Sequence, residues 1–394
     1  MQHYSYLIVG GGMTAAAAAK GIREVDAHGG TIGLIGAEPQ PPYQRPPLSK
    51  GLWKGKPLSK TAIDIQSLSV ELMLGRTVQS LDAEHKQVTD DQGSVYGFDK
   101  LLLATGGVPR RLADSSPNVI YYRTMADFHT LHALAERGQH FAVIGGGFIG
   151  SEIAAALSLN HKNVTLLFPG SGIGAAVFAP DVSQFLNDYY RQHGVTVLPN
   201  TKVVAVEQHG AQLRVCTDGD QELIVDGVVA GLGIAPNTTL AQEAGLAVDD
   251  GIVVDRLLRT SHLGIYAAGD VARFYNPLLE RQLRVEHEDN ANSMGRQAGR
   301  NMAGRAEPYD YLPFFYSDLF DLGYEAVGDL DARLELFADW KEPFREGVIY
   351  YLKDGRVRGV MLWNVWGQVD AARELIAARG PLTRDDLRGR LHGS

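Results

Sequence analysis

The chain of 394 residues contains one cysteine, Cys216, so it can build no disulfide framework and holds no CxxC pair for a dithiol relay. No apolar run approaches the roughly 18–20 residues that a membrane-spanning helix needs. Basic residues are the minority, 37 Lys and Arg against 46 Asp and Glu. The resulting net charge of −9 argues against nucleic acid as a main partner, because neutralising phosphates takes a basic surface. The first apolar strand begins by Ser5, which leaves no room for a charged n-region and an apolar h-region, so no signal peptide is expected. These absences predict a cytoplasmic protein in a reducing compartment. A hydrophobic content of 45% is ample for the packed cores of two or three domains.

What the chain has in abundance is glycine, placed at two similar turns. Gly10-Gly11-Gly12-Met13-Thr14-Ala15 and Gly145-Gly146-Gly147-Phe148-Ile149-Gly150 each follow a short apolar run and open an alanine-rich stretch. The pattern reads as strand, tight turn, helix, twice. Glycine lets backbone amides at a helix N-terminus approach a pyrophosphate closely. Two such turns imply two dinucleotides, a flavin held permanently and a nicotinamide that comes and goes.

Residues 5–9 and 31–35 read as parallel strands around a helix from Thr14 to about Val25, and a proline-rich connection follows from Pro39 to Pro47. The second unit starts at Phe141, continues through a helix near Ser151–Asn160 and reaches a strand at Val164–Phe168. Later strands fit 202–208, 212–217, 222–229 and 251–254. The alternation predicts parallel α/β sheets. From Pro308 the texture changes to an aromatic-rich hairpin, 347–352 and 357–363 around Asp354-Gly355, followed by a helix over 370–379.

Glu38 stands at the end of the second strand, where an acid would bind the adenosine ribose of FAD. Glu152 falls just past the second turn, where an acid ordinarily compensates the helix dipole. The strand that should present the ribose ligand of the nicotinamide nucleotide ends Leu167-Phe168-Pro169-Gly170-Ser171. It carries no acid and no arginine pair, so NADH is expected over NADPH with poor discrimination. His287 lies among Glu286, Glu288 and Asp289, but consecutive positions cannot all point inward, and no metal site is expected there or at His129 and His132. Cys216 reads as a packed strand residue.

Further motifs resemble a known family. Pro42-Tyr43-Gln44-Arg45-Pro46-Pro47-Leu48-Ser49-Lys50, Ala104-Thr105-Gly106-Gly107 and Ala268-Gly269-Asp270 look like the FAD-dependent pyridine nucleotide reductases. Within these the chain resembles the branch that holds oxygenase-type ferredoxin reductases and apoptosis-inducing factor. Val285-Glu286-His287, Gly323-Tyr324-Glu325-Ala326-Val327-Gly328 and Leu362-Trp363-Asn364 extend the likeness to the C-terminal region.

The resemblance implies that Arg45 and Arg110 contact the FAD diphosphate and that Asp270, next to a helix beginning near Val271, bonds the ribityl chain. It implies that Lys50 sits at the flavin, paired with Glu152, and that Phe148 gates the nicotinamide. His287 would lie near the isoalloxazine. Thr105, Gly106, Gly233 and Glu286 complete the cofactor-binding set. The family commonly has tryptophan where this chain has Tyr316, which alters the surface at the flavin edge. The hairpin and regulatory insertion of apoptosis-inducing factor are missing.

The fold expected is α/β, with two Rossmann-like dinucleotide-binding domains for FAD and NAD plus a C-terminal α+β domain. Its boundaries are 1–110 and 239–307 for FAD, 111–238 for NAD(H) and 308–394 for the last domain. The function implied is an NADH oxidoreductase that moves a hydride to flavin N5 and then electrons to a ferredoxin-like protein or a small acceptor such as a quinone. The alternative is an NADH-sensing flavoprotein whose long-lived charge-transfer complex controls its oligomeric state, a homodimer included, or its partner binding.

Overall fold

A computed structural model describes residues 1–392, which belong to two compact units. The first comprises residues 1–44, 58–108 and 235–313; the second comprises 45–57, 109–234 and 314 onward.

In the first unit five parallel strands lie in the order Val70–Leu74, Ile32–Gly36, Gln2–Val9, Val95–Leu103, Ile265–Ala267. Val78–Asp82 and Gln87–Asp90 continue the sheet as an antiparallel meander. Ile32–Gly36 is buried along its whole length, as expected of a parallel strand covered on both faces. The helix Met13–Val25 packs closely on the helix Glu288–Met302. A Cβ on Gly21 would come 2.0 Å from the Arg296 carbonyl oxygen. One on Gly295 would come 2.4 Å from that of Thr14, and one on Gly299 2.0 Å from that of Ala18. The two backbones touch because these positions have no side chain, and that contact fixes where the first glycine turn points.

The expectation of a helix beginning near Val271 is corrected. A 3₁₀ turn at Gly269–Val271 leads into the strand Ala272–Asn276, whose residues alternate between buried and more exposed as a strand requires. The helix starts at Glu288, with His287 as its N-cap residue and Glu288 and Asp289 in its first turn, where acids complement the helix dipole.

The second unit repeats the theme. Its parallel sheet runs Val195–Leu198, Asn163–Leu167, His140–Ile144, Gly227–Ala230, Ile120–Tyr121. The strand expected over 222–229 is two strands, Glu222–Val225 and Gly227–Ala230, which belong to different sheets. Asp226 makes the break, its carboxylate accepting the amides of Gln139 and His140 at 2.7 and 2.9 Å. A third sheet of five antiparallel strands, Phe314–Leu319, Leu322–Gly328, Arg356–Trp363, Glu346–Lys353 and Glu335–Glu342, belongs to the same unit. Asp354 and Gly355 both have positive φ in its hairpin, as a tight two-residue turn demands.

Cys216 is half-buried on a strand rather than packed in the core, and burial together with Glu207 and Glu222 raises its thiol above the ordinary value. That leaves little thiolate for redox chemistry. No helix of the described residues is long and apolar enough to cross a membrane.

The close helix pair gives a stability prediction. Gly299→Ala should destabilise the protein by about 2–3 kcal/mol. Gly380→Ala, whose added methyl would meet nothing within 4 Å, should change stability by less than about 0.5 kcal/mol. Denaturant titration compares the two, and equal midpoints would show that the helices accommodate a side chain.

Candidate active site

Both glycine turns use one device. Gly10 and Gly145 have φ of 123° and 110°, and a Cβ on either would strike the adjacent strand's backbone, 2.1 Å from Ala104 O or 2.3 Å from Gly231 O. The amide of Gly10 donates to Ile35 O and that of Gly145 to Leu167 O, both at 2.8 Å. Gly12 and Gly147 are the N-cap residues of their helices, neither helix has a side-chain cap, and a Cβ on either would meet nothing within 4 Å. Each helix thus starts at a glycine with room beside it and without a side-chain cap, as a pyrophosphate cradle requires. The residues present fit two dinucleotides.

Within the first unit, Met13 opens the helix and Thr14 is buried, so close to Gly269 that a Cβ there would lie 2.3 Å from Thr14 Oγ1. Ala15 is in the core and its amide donates to Gly12 O at 3.1 Å. The Glu38 carboxylate accepts a 2.6 Å hydrogen bond from the Tyr43 hydroxyl, which orients it at the end of its strand. Thr105 Oγ1 donates to Asn237 O at 2.8 Å beside Gly106, whose φ is 62°. Arg284 donates to Asp270 O at 3.3 Å and to a Glu286 oxygen at 2.5 Å, and its Nε reaches Asp250 at 3.3 Å. The three acidic neighbours of His287 thus have structural work as an ion-pair partner and helix-terminal charges.

The second unit holds the most constrained cluster. The helix expected from Ser151 begins at Phe148, so Glu152 lies in its second turn and is 4% exposed. It is no dipole compensator at a solvated terminus. Lys50 Nζ donates to Glu152 Oε1 at 2.6 Å, Ser317 Oγ to the same oxygen at 2.6 Å, and Ser49 Oγ to Oε2 at 2.5 Å. A buried carboxylate needs such compensation, since stripping its water costs several kcal/mol. The loop that supplies Ser49 and Lys50 folds into 3₁₀ turns at Pro46–Ser49 and Gly51–Lys54. It is pinned by the Tyr122 hydroxyl on Leu48 O at 2.5 Å and by Arg45 Nη1 on Arg123 O at 2.9 Å. Arg110 is exposed, its amide donating to Gly233 O and its Nε to Ile234 O.

Phe148 is half-buried and meets Phe315 edge-on at 5.3 Å. It lines a cavity of about 340 Å³ with Gly147, Phe168, Gly170, Phe178 and Tyr324. Gly150 lies beneath, where a Cβ would strike Gly145 O at 1.8 Å, and Ile149 is exposed. Ser49, Phe315, Ser317 and Tyr324 are parts of this site that reading by motif missed. Among the described residues no group of three metal-ligating side chains converges.

Residues 4–295 match the pyridine nucleotide-disulphide oxidoreductase family, and residues 338–378 match the apoptosis-inducing factor, mitochondrion-associated, C-terminal family. The chain belongs to the pyridine nucleotide-disulphide oxidoreductases. It is 36% identical to apoptosis-inducing factor 1, mitochondrial, of Dictyostelium discoideum, over 96% of this chain and 79% of the relative. It is 34% identical to the 5,5'-dehydrodivanillate O-demethylase ferredoxin reductase subunit of a Sphingobium species, over 98% and 96%. Among solved structures it resembles putidaredoxin reductase in the covalent complex with putidaredoxin, with a TM-score of 0.91 at 30% identity, covering 98% of this chain and 95% of that one. With one cysteine, this oxidoreductase holds no intrachain dithiol.

The ribose end of this oxidoreductase's second cradle gives a specificity prediction. A Cβ on Gly170 would have its nearest neighbours at 3.9 Å, so a side chain fits there. Gly170→Glu should raise the preference for NADH over NADPH by about tenfold through carboxylate bonds to the ribose hydroxyls. Steady-state kcat/KM for both nucleotides measures it, and an unchanged ratio would place the ribose elsewhere.

Proposed function

We infer that this chain is an FAD-dependent NADH oxidoreductase of the ferredoxin-reductase type, delivering electrons to a small ferredoxin-like protein. The observation that carries the reading is a pair of unobstructed pyrophosphate cradles in a chain without a dithiol. FAD, when bound, would supply the redox chemistry that links a hydride donor such as NADH to a one-electron acceptor. The family relationship supports the assignment, and the named ferredoxin reductases among the relatives support the acceptor.

The chain's own residues bind, orient and hold charge. In the proposed assignment the amides after Gly12, with Glu38 at the ribose, hold FAD, and Asp270 bonds its ribityl chain. Arg45 and Arg110 add contacts to the diphosphate, and Thr105, Gly106, Glu286 and His287 complete the flavin surround. The amides after Gly147, with Gly145, Ile149, Gly150 and Gly233, hold NADH. Phe148 moves aside as the nicotinamide enters. Hydride transfer needs little acid–base assistance, so positioning and electrostatics dominate. Glu152 keeps the Lys50 ammonium in place, and that fixed positive charge would favour a reduced flavin ring.

Anaerobic mixing with NADH followed by a [2Fe–2S] ferredoxin tests the reading. Fast bleaching and rapid reoxidation by the ferredoxin are expected. A persistent long-wavelength band, no reoxidation and an NADH-dependent change in scattering mass would instead establish the sensing role.

Lys50→Ala should slow flavin reduction about 100-fold while FAD stays bound. Loss of the yellow colour on purification would show that Lys50 grips the cofactor instead. Tyr316→Trp should strengthen the charge-transfer band of the reduced protein with NAD, and an unaltered band would place residue 316 away from the nicotinamide.

A further inference from the structure

Three consecutive residues of the strand Phe314–Leu319 each meet one member of the proposed machinery in their own unit. The Phe315 ring packs edge-on against Phe148, the Tyr316 ring lies 5.2 Å from Lys50 Nζ, and Ser317 Oγ donates to Glu152. The spacing explains how. Phe148 and Glu152 are four apart on one helix, a rise of about 6 Å on a single face. Phe315 and Ser317 are two apart on a strand, about 6.6 Å on a single face. The two repeats match, so the helix lies along the strand with aromatic against aromatic and hydroxyl against carboxylate. Tyr316, on the opposite face and 37% exposed, takes the lysine.

Ser317 is fully buried, and its hydroxyl shares Glu152 Oε1 with Lys50 Nζ. Ser49 occupies Oε2, so both carboxylate oxygens are tied and the group cannot rotate without losing a hydrogen bond. The surroundings hold few other polar groups. Tyr324 stands opposite Ser317 on the neighbouring strand, and Tyr190 donates to Ser151 O. Both tyrosines are buried, and burial leads the causes that push their hydroxyls well up, so they stay neutral. Asp318 and Lys54 line the cleft beside the pair.

We propose that Ser317, together with Ser49, is a positioning residue for flavin reduction: the two hydroxyls lock the Glu152 carboxylate in the orientation that holds the Lys50 ammonium. The C-terminal sheet thereby takes part in the reductive step. The inference rests on the reading that the Lys50–Glu152 pair acts in that step.

Stopped-flow reduction of the FAD-loaded protein by NADH, across a range of NADH concentrations, separates the limiting rate from nucleotide binding. Ser317→Ala should lower the limiting rate about tenfold, with half-saturating NADH changed less than about twofold, because a positioning hydrogen bond to a charged group is lost while the nucleotide cradle is intact. In a Glu152→Gln background, which is itself slow, Ser317→Ala should cause no further loss. Ser49→Ala, acting on the other oxygen, should show the same pattern and serves if Ser317→Ala does not fold. If Glu152→Gln reduces as fast as the unaltered protein, the role of the pair falls, and this inference with it. If Glu152→Gln is slow but both serine variants keep the full rate, or lose as much in the Glu152→Gln background as alone, the positioning role is overturned while the pair stands.

Discussion

A carboxylate taken out of water must be met by charge and by hydrogen bonds, and the second unit is arranged around that requirement at Glu152. The idealised cost of burying such an ion is large, and even after relaxation it is several kcal/mol. Three donors from two other segments meet it: Ser49 and Lys50 from the proline-rich loop, and Ser317 from the first strand of the C-terminal sheet. The carboxylate belongs to the helix that the second glycine turn opens, so one anion ties that helix to a loop about 100 residues earlier and a strand about 165 later. An apolar residue would fill the space with less risk. A buried ion pair contributes a fixed charge at a fixed place, which packing alone cannot provide.

The glycine turns solve the complementary problem of making room for charge that is not the protein's own. Gly10 and Gly145 bring the turn against the adjacent strand, and Gly12 and Gly147 leave the helix terminus open. In the first unit a second set, Gly21, Gly295 and Gly299, carries the precision further by letting the cradle helix rest directly on its neighbour. Removing side chains sets positions here as much as adding them does. The cradle helices carry no side-chain cap, a cost in isolation that a pyrophosphate would offset.

Much of this was legible in the sequence for a physical reason. Gly-rich turns, buried parallel strands and the Asp354-Gly355 hairpin are local patterns, set by φ and by hydrophobic period, and they appear where local reading places them. The misplaced elements are those decided at a distance. Glu222–Val229 reads as one strand until Asp226 is seen holding the amides of residues 139 and 140. Val271 follows a motif that suggests a helix, yet the next five residues alternate as a strand and the helix waits for His287. At the site, Lys50 and Glu152 were reached through family resemblance, and they do pair. Ser317 directly follows Tyr316, but nothing in one sequence says that a serine is wholly buried or which oxygen it meets.

If Glu152 organises its unit, its removal should loosen all three segments that it joins. Native-state hydrogen exchange of Glu152→Ala against the unaltered protein measures this directly, because amide protection reports local opening segment by segment. Lower protection is expected across residues 46–54, 148–159 and 314–319 together, with the sheet of the first unit unchanged. Loss confined to the helix that carries the substitution, with the loop and the strand as protected as before, would contradict it.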